Sequence, residues 1–126
     1  MKTIETPHAP HPAGHYSQAV VHGGPVFVAG QLPIDPASPG RPAGDVEEQT
    51  ERALRNVEAI LEAAGSGLER MVSVTVYVSD ISLWPRVNAA YARLLGPHRP
   101  ARAVVPVKEL HHGYLVEVQA VAALRD

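Results

Sequence analysis

The chain has 126 residues, of which 45% are hydrophobic, so we expect one globular domain over residues 1–126 with a buried core. Its net charge of −2 offers nucleic acid and anionic membranes little attraction, and the absence of cysteine excludes disulfides, thiol catalysis and thiolate metal sites. No apolar run approaches a membrane span and the first residues lack the apolar core of a signal peptide, so the cytoplasm is the expected location.

The N-terminal third is expected to hold an arm and a hairpin. Residues 1–18 are rich in proline and histidine, which predicts an extended arm with turns. Two β-like runs, 19–21 and 26–30, flank the turn signal Gly23-Gly24-Pro25 and predict a hairpin. Gly30 at its end permits another group to approach the backbone closely. Residues 35–44 hold prolines and glycines and predict a surface loop.

An amphipathic helix follows this loop. Asp45 and Glu48 fit a capping box, and Gly65 is a natural C-cap. Between them, apolar residues recur at helical spacing while charged residues lie mostly on the opposite face.

Residues 70–79 alternate strictly and predict a strand. The apolar set is Val72, Val74, Val76 and Val78, and the polar set is Ser73, Thr75, Tyr77 and Ser79. A solvated face would normally carry charge, so the uncharged polar face indicates contact with another subunit.

A second helix, a strand with one arginine and a final strand complete the chain. Asp80 or Ser82 is expected to cap the helix, whose apolar stripe runs from Leu83 to Leu95 before Gly96-Pro97 ends it. The next strand begins at Ala103 and ends at Val105 or Val107, with Arg102 at its entrance. The turn at residues 111–113 then leads to a last strand over 114–123.

The order β-β-α-β-α-β-β predicts an α+β sandwich, in which one antiparallel or mixed sheet carries two helices on one face. No helix remains to cover the other sheet face, so oligomerisation is the simplest way to bury it.

Arg102 is the first candidate for function. Its guanidinium is always ionised and offers a planar fork of donors that fits a carboxylate bidentately. Beside an apolar strand it is either a solvated surface residue or the anion clamp of a pocket, and the local sequence leaves both open.

Spaced motifs along nearly the whole chain resemble the RidA/YjgF-like reactive intermediate deaminase family. They are Gly14–Gln18, Ala29–Pro33, Asn56–Gly65, Val87–Tyr91, Pro100–Arg102 and Val116–Ala120. The resemblance implies a chorismate-mutase-like (ferredoxin-like) fold, a homotrimer with pockets between subunits, and hydrolysis of enamines and imines such as 2-aminoacrylate to ketoacids and ammonia. It implies no metal or other cofactor.

The same resemblance implies the site residues. Arg102 matches the arginine that grips the substrate carboxylate, and Tyr16, Gly30 and Asn88 match residues that line its pocket. The chain departs from the family at three positions. Gln119 occupies the position of the acid that positions water, Val104 that of the pocket cysteine, and Ala29 that of a serine of the hairpin. Gln119 can hold water but cannot accept a proton. Glu117 lies on the same strand face and is either a surface or interface carboxylate, the interpretation we favour, or a group that reaches the same water.

Three other functions are weighed against deamination. A zinc site is disfavoured because prolines separate His8, His11 and His15, and adjacent residues His111 and His112 would diverge in a strand. An RNA-directed endoribonuclease or translation inhibitor, as some relatives are described, would need a basic stripe or an aromatic platform that the sequence lacks. The runner-up is a non-catalytic trimer that binds small carboxylate metabolites, since it would keep Arg102 without the acid.

Overall fold

The computed structural model describes residues 1–126, which form one six-stranded sheet and two helices. The strands are β1 (Lys2–Ile4), β2 (Ala19–Val21), β3 (Pro25–Gln31), β4 (Met71–Val78), β5 (Ala101–Pro106) and β6 (Val116–Ala123), and the helices are α1 (Val46–Ala64) and α2 (Trp84–Leu95). The spatial order is β1-β2-β3-β6-β4-β5. Only β4 and β5 pair in parallel, so the sheet is mixed. The α+β layout with one mixed sheet is confirmed, but β1 is an additional strand.

Helix α1 begins and ends as the sequence predicts. The Asp45 side chain accepts a hydrogen bond from the Glu48 amide at 2.8 Å, and the Glu48 carboxylate accepts one from the Asp45 amide at 3.3 Å. Gly65 takes the left-handed conformation that ends the helix. Apolar residues of both helices join one core cluster with alternate residues of the strands, and the central strands β3 and β6 contribute to it together with β4.

The first residues of β4 do not follow the predicted alternation of buried and exposed side chains. Met71 is buried and Val72 is 55% exposed, because the pairing with β6 shifts between Met71 and Ser73. Beyond this irregularity, Val74, Val76 and Val78 are buried as predicted. A bulge therefore turned one valine to the open sheet face, where the alternation had placed it in the core.

Two buried amides fix irregular segments against the sheet. Gln18 is 2% exposed; its Oε1 accepts a hydrogen bond from the Thr6 amide at 2.7 Å, and its Nε2 donates to the Pro10 carbonyl at 3.0 Å. Asn56 donates from α1 to the carbonyls of Leu32 and Ile34 after β3. These bonds satisfy backbone groups that would otherwise be buried without partners, and they anchor the arm and the loop beside β3.

No helix is both long and apolar enough to cross a membrane.

Candidate functional site

Arg102 lies on the edge strand β5 and points toward the helix layer. In the parallel pairing it stands beside Val74, whose side chain is fully buried on the helix side of the sheet. Asn88 on α2 accepts a hydrogen bond from Arg102 Nη1 at 3.0 Å. The guanidinium carbon also lies 4.7 Å from the centre of the Tyr91 ring. Arg102 and Asn88, which the family resemblance places in one pocket, are hydrogen-bonded although they are 14 residues apart along the chain.

This end of the sheet forms an anion-favouring cavity of about 480 Å³. Its lining includes two arginines and one histidine but no carboxylate; the residues are Asn88, Tyr91, Ala92, Leu95, Gly96, His98, Arg99, Pro100 and Arg102. Burial raises the pKa of the Tyr91 hydroxyl, and the charge of Arg102 opposes that shift only in part. Tyr91 is therefore neutral at pH 7, and the fixed positive charge of Arg102 faces a cavity with no negative side chain to neutralise it.

Tyr16, Gly30 and Glu117 line a second cavity, of about 430 Å³. Gly30 is needed here for space: a Cβ on this residue would lie 2.6 Å from Glu117 Oε2. The pairing of β3 with β6 shifts between Val28 and Gln31, and this bulge brings the Gly30 backbone against the Glu117 side chain. The group that approaches the Gly30 backbone closely is therefore the carboxylate of Glu117.

Desolvation raises the pKa of Glu117 above its usual value, and the positive charge of His111 nearby opposes the rise. His11, His111 and His112 also line this cavity. A carboxyl group with a raised pKa that lines a cavity is a stronger candidate for proton exchange with a ligand than an ordinary surface glutamate. Glu117 is therefore the acid–base candidate of this cavity.

Gln119 lines neither cavity. It is exposed on the open face of the sheet, where its Oε1 accepts a hydrogen bond from the Tyr77 hydroxyl at 2.8 Å. Val104 lies two residues beyond Arg102 on the same strand face, half-buried and packed against the core cluster. The structure therefore brings Glu117, and not Gln119, together with Tyr16 and Gly30.

Four residues that the sequence reasoning did not assign to the site lie near the two cavities. His11 belongs to the proline-rich arm, and its place depends on the anchoring by Gln18. His111 and His112 do not diverge: they occupy a short 3₁₀ turn and stack with ring centres 3.9 Å apart. Trp84, expected in the apolar stripe of α2, is 40% exposed with its ring centre 5.7 Å from the Arg102 guanidinium carbon.

No group of three or more histidine or acidic side chains is arranged to hold a metal ion.

The two cavities do not meet within one chain. Glu117 is on β6 and Arg102 on β5, two positions apart in the sheet, about 10 Å at the usual strand spacing. Arg102 and Glu117 also lie on opposite faces of the sheet. Arg102 is paired with Val74, which is buried under the helices, whereas Glu117 is paired with half-buried Tyr77 on the open face. A small substrate cannot touch Arg102 and Glu117 of the same chain at once.

Comparisons with known proteins agree with this architecture. Residues 6–124 match the family model described as Endoribonuclease L-PSP. A RutC family protein of Pyrococcus abyssi is 44% identical over 96% of this chain and 95% of its own length. The 2-iminobutanoate/2-iminopropanoate deaminase of Salmonella typhimurium is 40% identical, with 98% of each chain covered. The crystal structure of E. coli TdcF with bound serine superposes with a TM-score of 0.93 at 34% identity, covering 99% of this chain and 100% of TdcF. With the match spanning almost every residue of the fold, the chain belongs to the YjgF/RidA/RutC family.

Proposed function

We propose that this protein hydrolyses small imine and enamine carboxylates to ketoacids and ammonia. The observation that carries the proposal is that one fold holds two complementary cavities, here called half-sites. One contains the fixed cation Arg102 and no acidic side chain, and the other contains Glu117, whose pKa is raised, beside Gly30. The similarity to a protein named 2-iminobutanoate/2-iminopropanoate deaminase supports the same chemistry.

Arg102 would bind the substrate carboxylate and thereby orient the adjacent C=N carbon. Glu117 accepts a proton from the water as the water oxygen bonds to that carbon, and passes this proton to the imine nitrogen, which gives a neutral carbinolamine. Glu117 then accepts the proton of the carbinol hydroxyl and passes it to the amino nitrogen as the C–N bond breaks, which releases ammonia and leaves the ketoacid C=O. Glu117 is restored, and the overall change is addition of one water and loss of one ammonia. No covalent nucleophile is needed, because imine carbons are already electrophilic.

This chemistry requires Arg102 and Glu117 to come from different chains. The family resemblance implies a homotrimer with pockets between subunits, and the distance between the half-sites within one chain favours such an arrangement. The open sheet face carries Thr75, Tyr77 and Gln119, polar side chains without charge, which suits burial against a second copy. We therefore propose that the clamp of one subunit faces the Glu117 cavity of its neighbour.

The deaminase proposal is tested by ketoacid release from 2-iminopropanoate, formed in situ from alanine by an amino acid oxidase. The wild-type protein should accelerate pyruvate and ammonia formation above the spontaneous rate. A protein that binds pyruvate but gives only the spontaneous rate would be the carboxylate binder instead.

Mixed assemblies test the shared site. Neither Arg102→Ala nor Glu117→Gln should be active alone, but mixing the two after unfolding and refolding should restore about a quarter of the wild-type rate, because random assembly leaves that share of interfaces with both native residues. If the mixtures are as inactive as the single variants, either both residues act within one chain or at least one of them lies outside the site. Sedimentation should show a trimer; a stable monomer at micromolar concentration would contradict the assembly.

The description of the family model also names an endoribonuclease. The chain's net charge of −2 gives RNA little electrostatic attraction. Cleavage of single-stranded RNA that survives Arg102→Ala would argue for that activity at a different surface.

A further inference from the structure

Three residues of α2 surround the Arg102 guanidinium. Trp84, Asn88 and Tyr91 follow at spacings of four and three residues, so they lie on one side of the helix. Asn88 accepts the hydrogen bond from Nη1, while the Tyr91 and Trp84 ring centres lie 4.7 Å and 5.7 Å from the guanidinium carbon. Arginine is attracted to the negative face of aromatic rings at these distances.

Trp84 differs from the other two in its access to the cavity. Asn88 and Tyr91 line the cavity that Arg102 faces, but Trp84 is not among the residues lining it. Trp84 therefore contacts the guanidinium from outside, and its influence on a ligand in that cavity must pass through Arg102.

We propose that Trp84 is a positioning residue, which holds the Arg102 guanidinium in the orientation that receives a carboxylate. This inference rests on the proposed function, because it assumes that Arg102 binds the substrate carboxylate. Asn88 occupies Nη1, and the other guanidinium nitrogens make no hydrogen bond within the chain. Those nitrogens are left to form the fork that a carboxylate needs.

The energetic reason lies in the flexibility of arginine. A free arginine side chain loses considerable rotamer freedom when a ligand fixes it. A guanidinium already held by an amide and two rings loses less, so the ligand binds more tightly. The sequence places this support on α2, whose first turn carries Trp84 next to Pro85.

Trp84 is the only tryptophan of the chain, so its emission reports on the clamp directly. Pyruvate should change the tryptophan emission saturably, whereas pyruvamide, which lacks the carboxylate, should not. Calorimetry then compares pyruvate binding among variants. We expect Trp84→Leu to weaken binding about 3- to 10-fold, and Trp84→Phe to recover most of the loss because it keeps an aromatic face.

Kinetics separate positioning from general damage. Trp84→Leu should raise KM for the imine with kcat nearly unchanged, because the carboxylate contact is equally strong in the bound substrate and in the transition state. Ile81→Ala is the matched control: it removes an exposed apolar side chain from the turn before α2, outside the cavity lining. It should leave both constants at the wild-type level.

Two outcomes would overturn the inference: unchanged pyruvate affinity in Trp84→Leu, or equal losses in the Leu and Phe variants together with a lowered melting temperature. A wild-type protein that neither binds pyruvate nor accelerates its release from the imine would refute the proposed function instead. In that case the Arg102 side-chain Nε–Hε NMR signal, assigned with Arg102→Lys, still decides the positioning role. It should shift in Trp84→Leu, and an unmoved signal would refute that role.

Discussion

The two half-sites of this protein are built by different means. At the β5 edge, a permanently charged side chain is held by residues of one helix, and its cavity contains no acid. At the β3–β6 side, a titratable carboxyl is confined by a glycine and a bulge, and its cavity contains three histidines. The first arrangement favours anion binding at every physiological pH, whereas the second favours proton exchange. Binding and acid–base chemistry should therefore be separable by mutation.

Removal of the clamp should have the largest effect. Arg102→Ala should lower both pyruvate binding and kcat/KM by at least about 100-fold, because a charged bidentate partner is lost. Arg102→Lys should recover only part of this, since an ammonium is a point charge. Steady-state ketoacid release and calorimetry measure both effects.

Arg93→Ala is the matched control for the clamp, because it removes an exposed arginine from the last turn of the same helix. Unchanged carboxylate affinity in Arg102→Ala, or an equal loss in Arg93→Ala, would contradict the assignment.

Loss of the acid should act on turnover and spare binding. We expect Glu117→Gln to reduce kcat by about 100-fold, the usual low end for a general acid–base group, while pyruvate affinity stays equal or improves. The companion change Gln119→Glu should not raise kcat, because residue 119 lies outside the cavity. Gln119→Ala, which adds no charge to the face proposed to pack against a second copy, should leave kcat within about twofold of the wild type. If Gln119→Glu raised turnover strongly, or Glu117→Gln did not lower it, the acid position would be 119, as the family resemblance implies.

A smaller change tests the geometry between the glycine and the acid. Gly30→Ala adds a methyl group 2.6 Å from Glu117 Oε2, so the carboxylate must move aside. Because a flexible side chain can yield, we expect folding to persist and kcat to fall about 10-fold as the proton acceptor shifts from the water.

Gly14→Ala is the control for that change. Its added carbon would meet Tyr16 at an ordinary contact distance of 3.6 Å, so kcat should remain at the wild-type level. If the Gly30 and Gly14 variants were equally active, the space beside Gly30 would have no part in the reaction.

The parts of the structure that depend on local chemistry could be read from the sequence. The capping box at Asp45, the C-cap at Gly65 and the alternation of β4 beyond Val72 all follow from spacing along a single element. Strand β1 was missed because three residues beside a proline-rich arm carry little pattern, and its identity depends on pairing with β2.

The placement of the acid could not be decided from the sequence for a similar reason. Glu117 and Gln119 share one face of β6, so alternation does not distinguish them. The distinction comes from the bulge in β3, which shifts the partner of Val118 to Gln31 and brings Gly30 against Glu117. Likewise, His111 and His112 stack because His112 adopts a positive φ of 61° in a tight turn, a conformation that adjacent histidines in a strand would not take.

The smallest expected effect concerns stability, and it sharpens the contrast between a fixed charge and a titratable one. Burial raises the pKa of Glu117 in the folded protein above its unfolded value. Between those two pKa values the folded state binds more protons than the unfolded state, so the free energy of unfolding falls as pH rises through that window. Above the folded pKa the ionised, partly buried carboxylate lowers the free energy of unfolding, and below the unfolded pKa this destabilisation is absent. Glu117→Gln removes this titration. In an Arg102→Ala background, where no guanidinium of a neighbouring subunit faces the carboxylate, adding Glu117→Gln should raise the melting temperature at pH 8 by a small margin that closes as the pH falls toward 4. Thermal melts at matched ionic strength measure the difference, with Gln119→Ala in the same background as an uncharged control that should show no pH-dependent gap. If Glu117→Gln lowered the melting temperature of the Arg102→Ala protein at pH 8, the carboxylate would have a favourable partner other than Arg102, and its raised pKa could not then be the basis of its acid–base role.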